Sequence, residues 1–575
     1  MKTNNDLQYK QIDFKSFKAE FLAEVKKIES SNDFKNIKSS INNINKKRND
    51  WDTNWVLAEI HNFAYQNDTT AQETIHYYDG LNTNYTLLIN QFYKAIAESK
   101  YIEQIKDLYG HQIINIAKNN IKLFGENIKK LQEKELELQK QFGEIYYQIQ
   151  FEINGKTYSN DSIQPLLVSA DRALRKEAIS AQSSAYQKAE DSLAPIIIKL
   201  IKVRNEIAQK RGFDNYISYR YLEMGRFDYG MADIITHRKA IEQYWVPFTK
   251  EIRAKHASNI GQSSLKFHDY NYFGIGDHLK FNFKEHTIKE LSNMFGTLSK
   301  SGGYLFDRMV KEGFIDYEIR EEKMPGNHAF YIPNKKMPYL HTNFGGTKED
   351  FSLLTHEFGH AFGYLQSDTD IPEYVYPEIE GAEIQSIAME FICYSGADRF
   401  FGQQGDEYRY WHLAFFTLYL SHLTILDEFE HSLYEIEPEN AEDLRNCWKA
   451  VELKYLPSID YQDASFFKNG GRYLAASNWL VDYPFYSICY SLAQFSALQI
   501  WKEYKQNPVK GWEAYMNFCK LGGRESFLTS LNKCNIKSPF ELKNIKEIME
   551  MVSLDLNELE LNVKQRKNSE SMPNP

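Results

Sequence analysis

Cysteine is scarce in this 575-residue chain. The five present, Cys393, Cys447, Cys489, Cys519 and Cys534, stand at no spacing of a disulfide framework or a thiolate metal site. An odd number of scattered thiols suits a reducing compartment. No uninterrupted apolar run reaches the roughly 20 residues of a membrane span. The richest stretch, WHLAFFTLYLSHLTIL, is broken by two histidines and other polar residues. The opening residues, MKTNNDLQYKQ, lack the apolar core of a secretory signal. Basic charge is also short: 68 Lys and Arg against 78 Asp and Glu leave a net charge of -10, which argues against a nucleic-acid surface. These absences predict a cytoplasmic globular protein with neither membrane nor nucleic acid as a partner.

Hydrophobic residues make up 42% and aromatics 15%, enough for a large core shared between subdomains. Glycine, proline and β-alternation are sparse up to about residue 190, and residues 84–150 repeat apolar positions at three and four, so this region reads as helical. Helix continues from 190 to 255 with breaks around Gly212 and Gly230, and residues 258–282 are less regular. Residues 318–350 mix extended segments with turns at Pro325–Gly326 and Gly345–Gly346, which predicts a small sheet. Helices follow to a polar, frayed end, KQRKNSESMPNP.

Directly after the predicted sheet comes FSLLTHEFGHAF. Side chains four residues apart share one helix face, so His356 and His360 can hold one zinc ion while Glu357 supplies a base for the hydrolytic water. Gly359 inside this helix costs about 1 kcal/mol relative to alanine, which close packing would explain. A five-residue pattern also arises by chance, and a catalytic zinc needs a third protein ligand. Downstream, PEIEGAEIQSIAMEF offers Glu378, Glu380, Glu383 and Glu390. Glu380, Glu383 and Glu390 share a face, and spacing alone does not choose among them.

The run NFGGTKEDFSLLTHEFGHAF, with AEIQSIAMEF after it, resembles the M3 family of zinc metallopeptidases, the oligoendopeptidase F subgroup in particular. VRNEIAQKRGFDNYISYRY, MPGNHAFYI, MPYLHTNFGGT and DYPFYSICYSLAQFSALQIW agree with it, so the resemblance spans about residues 190–550. It implies a mainly α, zincin-type helical peptidase with a small β-sheet beside the active-site helix and a deep substrate channel. It divides the chain into an N-terminal helical region (1–190), a catalytic domain (191–560) and a polar tail (561–575).

The same resemblance makes Glu383 the third ligand of a single zinc ion and Glu357 the catalytic carboxylate. Tyr490, with Tyr483 seven residues before it, takes the place of the tyrosines beside the tetrahedral intermediate; Tyr486 between them is a packing candidate. The implied activity is endopeptidase cleavage of short unstructured peptides.

One departure stands out. The family usually carries a histidine shortly before these tyrosines, yet none follows His431 here, and Asn478 is the expected occupant. An asparagine amide donates a hydrogen bond but carries no charge. The alternative reading is therefore a peptide-binding protein on a peptidase scaffold with little turnover, against which the retained Glu357 argues.

His341, Asn343 and His328 are candidate substrate contacts, and PYLHTNFGGT a candidate edge strand for an extended peptide. Glu390 and Glu380 are candidates to stand behind the zinc histidines. His412 and His422, in an aromatic helix, read as interior histidines.

Overall fold

The computed structural model describes residues 8–571, and helices dominate it. The N-terminal layer holds Phe14–Ser30, α1 (Phe34–Ala64), α2 (Thr69–Ala97), Ile102–Tyr109 and His111–Leu123. Phe21, Ile37, Ile44, Trp51, Phe92 and Ile96 fill its own apolar cluster. One residue from far along the chain, Tyr374, joins that cluster and donates its hydroxyl to the Tyr109 carbonyl. Beside it, Glu373 accepts from Arg48 Nη1 (2.6 Å) and the Tyr93 hydroxyl (2.7 Å) in a buried ion pair.

The long helix α3 (Arg172–Lys210) begins where Asp171 accepts the N–H groups of Ala173 and Leu174. It ends at Gly212, whose φ of 83° only glycine adopts readily. The boundary expected at residue 190 lies inside this helix. The segment before it is not wholly helical, contrary to expectation. Strands β1 (Phe151–Ile153) and β2 (Lys156–Tyr158) form a hairpin around Asn154–Gly155, both at positive φ. The local Asn-Gly turn overrides the surrounding helical composition.

The small sheet lies where the sequence places it, with order β3 (Ile315–Asp316), β5 (Met337–His341), β4 (His328–Ile332). β3 runs parallel and β4 antiparallel to β5. PYLH is therefore the buried central strand and not an edge; the end strand is β4, whose burial falls off toward His328.

After β5 the chain turns at Gly346 (φ 82°), where Asp350 accepts the N–H groups of Gly346 and Thr347 and starts α4 (Lys348–Gln366). Helices α5 (Ile379–Ile392), α6 (Gly405–Ile436) and α7 (Ser487–Gln506) pack around it. The last described helix, α8 (Leu542–Ser571), runs through residue 561, and residues 572–575 of the expected tail lie outside the described residues. No described helix is long and apolar enough to cross a membrane. All five cysteines are free thiols.

Candidate metal centre

Close helix contact builds the centre. A Cβ on Gly359 would stand 2.7 Å from both the Gln385 carbonyl oxygen and the Ser386 Cα, so α4 and α5 touch at backbone level there. Only at that separation do the two histidines of α4 meet a carboxylate of α5. Nε2 of His356 lies 3.4 Å and Nε2 of His360 3.8 Å from Oε2 of Glu383, and the three donor atoms fall within 4.8 Å of one another.

The set fits zinc. Ligands about 2.1 Å from a tetrahedral ion stand about 3.4 Å apart, and two imidazoles with one carboxylate leave the fourth position open. Tautomers agree with this. His356 directs Nδ1 at Glu390 Oε1 (2.8 Å), and an ionised carboxylate accepts only, so the Nε2 lone pair faces Glu383. A lone pair aimed at a carboxylate needs a cation between them, a metal ion or a proton. Burial disfavours charge on His356, but hydrogen bonds with Glu383 and Glu390 outweigh it and hold its pKa well above the usual value. His360, buried and with Nδ1 unpartnered, is pushed down to about 4.

Behind His356 runs a chain of partners that sequence reading gave no role at the site. Glu390 Oε2 accepts from Ser352 Oγ (2.6 Å) and His412 Nε2 (2.7 Å). His412 takes the Tyr394 hydroxyl on Nδ1 (2.6 Å). These contacts hold the Glu390 carboxyl down at about 2 despite its burial. His412 is indeed interior and satisfied, but its partner belongs to another helix and no spacing announces it. Glu380 is elsewhere: Arg226 and Tyr229 hold it.

Glu357 is 7% exposed and has no hydrogen-bond partner among the described residues. Burial, reinforced by Glu383 and Glu390, pushes its carboxyl up to about 7.

On the opposite wall, Tyr486 donates to Glu383 Oε1 at 2.9 Å. Tyr490 stands 5.5 Å from Tyr486 between ring centroids, and burial and Glu383 raise its pKa well above the usual value. Tyr483 is 55% exposed. The turn carrying these rings is fixed at Phe485, at φ 60°, where Glu430 accepts its N–H (2.8 Å) and Arg226 donates to its carbonyl (2.7 Å). Non-glycine residues held there cost about 1–3 kcal/mol and mark constrained functional turns. Asn478 faces Tyr146 instead (3.4 Å), and its neighbour Trp479 packs edge-on against Tyr490.

Of the remaining candidates, His341 is fully buried with Nε2 against the Met324 carbonyl (2.8 Å). Asn343 donates to the carbonyls of Met324 and Gly326. His328, exposed on β4, stacks on Phe63 of α1.

The profile of Peptidase family M3 matches residues 166–550, and that of the Peptidase M3 N-terminal domain matches residues 4–124. An oligoendopeptidase F homolog of Borreliella burgdorferi is 26% identical over 398 residues, 66% of this chain and 64% of that protein. Chromosomal oligoendopeptidase F of Lactococcus lactis subsp. cremoris is 23% identical over 424 residues, 69% and 65% of the two chains. The match thus spans just under two thirds of these relatives' length. Among solved structures, PZ peptidase A with an inhibitor superposes with a TM-score of 0.89 at 28% identity, covering 96% of this chain and 98% of that one. An oligoendopeptidase F assignment from Bacillus anthracis superposes at 0.85 with 28% identity, covering 97% and 98%. With the family profile matched across the ligand-bearing helices and the helical architecture shared nearly end to end, the chain belongs to peptidase family M3.

Proposed function

We propose that this protein is a zinc-dependent endopeptidase that hydrolyses internal bonds of short, unstructured peptides in the cytoplasm. The observation that carries this reading is the convergence of His356, His360 and Glu383 beside an unpartnered Glu357. One zinc ion held by those three residues supplies Lewis acidity to the carbonyl and the water. The chain's own groups do the rest. Glu357 takes the proton of the attacking water and returns it to the leaving amine, and a carboxyl near 7 is matched to both transfers at neutral pH. Tyr490, with Tyr483 at the mouth of the site, donates to the carbonyl oxygen as charge develops there. Tyr486 holds Glu383 in place. The substrate backbone lies along end strand β4 near His328, while His341 and Asn343 shape the adjoining turn; Asn478 acts at most through its neighbours. Five free thiols support the reducing compartment.

The test is mass-spectrometric detection of fragments from a mixed set of peptides, beside chelator-treated protein and Glu357→Gln. Internal cleavage abolished in both controls is the expected result. Intact peptides in the presence of bound zinc would establish the peptide-binding alternative, which the missing histidine favours.

A further inference from the structure

Along one face of α6 the aromatic side chains form a ladder. Trp411 stacks on Phe415 (centroids 5.9 Å, interplanar 15°), Phe415 on Tyr419 (5.4 Å, 13°), and His422 lies 5.5 Å beyond Tyr419. Steps of four, four and three residues define one helix face. Phe415, Tyr419 and His422 each keep part of their surface accessible, so this face is not closed into the core. The ladder passes the candidate centre: Tyr419 is near enough to Tyr490 to help raise its pKa, and the Phe416 carbonyl accepts from Gln494 of α7.

Two guanidinium groups stand at its far end. Arg472 donates through Nε to Glu452 Oε1 (2.6 Å), an oxygen that also accepts the Tyr461 hydroxyl (2.6 Å), and its Nη2 has no partner. Arg253, on the helix Val246–Asn259, lies over Tyr270 with Cζ 4.0 Å from the ring centroid. Its Nε and Nη1 are buried without a partner, and no carboxylate acts on it among the described residues. Burial and the nearby Arg472 both disfavour its charge. A desolvated guanidinium with idle donors and no counter-ion is costly, and its planar fork matches a carboxylate.

Distance gives the register. His412, against Glu390, precedes His422 by ten residues of α6, about 15 Å at 1.5 Å per residue. An extended peptide covers that in about four or five residues. We propose that Arg253 and Arg472 bind the C-terminal carboxylate of the peptide substrate about four or five residues beyond the scissile bond, with the Phe415–Tyr419 ladder under the intervening side chains. This subsite rests on the peptidase reading and sets both the polarity of the bound peptide and a preferred distance from its C-terminus.

The experiment is calorimetric binding of one peptide, as free acid and as C-terminal amide, to zinc-loaded Glu357→Gln protein, with turnover of both measured on the unaltered enzyme. The acid is expected to bind at least about 10-fold more tightly, the scale of a hydrogen bond to a charged group. Adding Arg253→Gln should bring the two forms within about 2-fold of each other, and Arg253→Lys should retain part of the preference. Equal binding of acid and amide to the Arg253-intact protein overturns the proposal without depending on any Arg253 variant. Survival of the preference in Arg253→Gln also overturns it. An amide peptide ending in Glu that binds like the acid would assign the site to a side-chain carboxylate and overturn the terminal one. Cleavage with no acid preference sinks the subsite alone; an acid preference in protein that cleaves nothing sinks the peptidase reading alone.

Discussion

Glu390 accepts the Nδ1–H of His356 at 2.8 Å and thereby decides which nitrogen of that ring faces Glu383. The carboxylate is itself held by Ser352 and by His412, which Tyr394 orients in turn. Four side chains from α4, α5, α6 and the turn after α5 thus fix one lone pair.

Replacing Glu390 by Gln preserves shape but removes the acceptor's charge. Loss of such a partner typically weakens metal binding by about 10–100-fold. Chelator competition on Glu390→Gln measures this directly, and zinc affinity equal to that of the unaltered protein would refute the positioning role.

Gly359→Ala tests the helix contact. The added methyl meets backbone atoms, which cannot swing aside as a flexible side chain can. Overpacking of this kind costs about 1–3 kcal/mol, of which helix propensity recovers at most about 1. A lower urea midpoint together with weaker zinc binding is expected, because α5 carries Glu383. Unchanged zinc affinity would separate the centre from this contact.

Tyr486→Phe and Tyr490→Phe should fail differently. Tyr486 bonds to Glu383, so its loss should weaken zinc binding and raise the metal concentration needed for full rate. Tyr490 makes no such bond; its loss should leave zinc affinity intact and lower kcat by about 10²–10³, the effect of losing one oxyanion donor. Paired zinc titrations and steady-state kinetics distinguish the two. A fall in kcat at saturating zinc for Tyr486 alone would exchange their roles.

Stability should decline toward alkaline pH through Glu430. Burial raises its pKa to about 8, against roughly 4.5 in the unfolded chain. Between those values the folded protein holds a proton that the unfolded chain has released, so stability falls as pH rises from about 4.5 to 8 and levels beyond. The contribution is on the order of a few kcal/mol. Urea denaturation of Glu430→Gln across this range should show a shallower decline than the parent; parallel curves would remove Glu430 as the cause. The same carboxyl pins Phe485, so loss of activity should accompany its ionisation.

The sequence by itself determined what depends on neighbours a few residues apart. The pairing of His356 with His360 around Glu357 follows from helical periodicity, and the turn at Gly345–Gly346 ahead of α4 follows from residue chemistry. Asn154–Gly155 was equally local, and the hairpin there went unread because the surrounding composition is helical.

Tertiary structure alone decided the rest. Periodicity placed Glu380, Glu383 and Glu390 on one face, but only the crossing of α5 over Gly359 brings Glu383 to the histidines' Nε2 atoms, sets Glu390 behind His356 and leaves Glu380 to Arg226. Strand order made PYLH central, since pairing partners far along the chain are invisible in a strand's own alternation. Likewise Tyr486 meets Glu383, and Trp479 meets Tyr490 where Asn478 does not, because a turn held at positive φ by Glu430 and Arg226 sets their directions. Spacing fixes which side chains share a face; what that face meets depends on packing between elements distant in the chain.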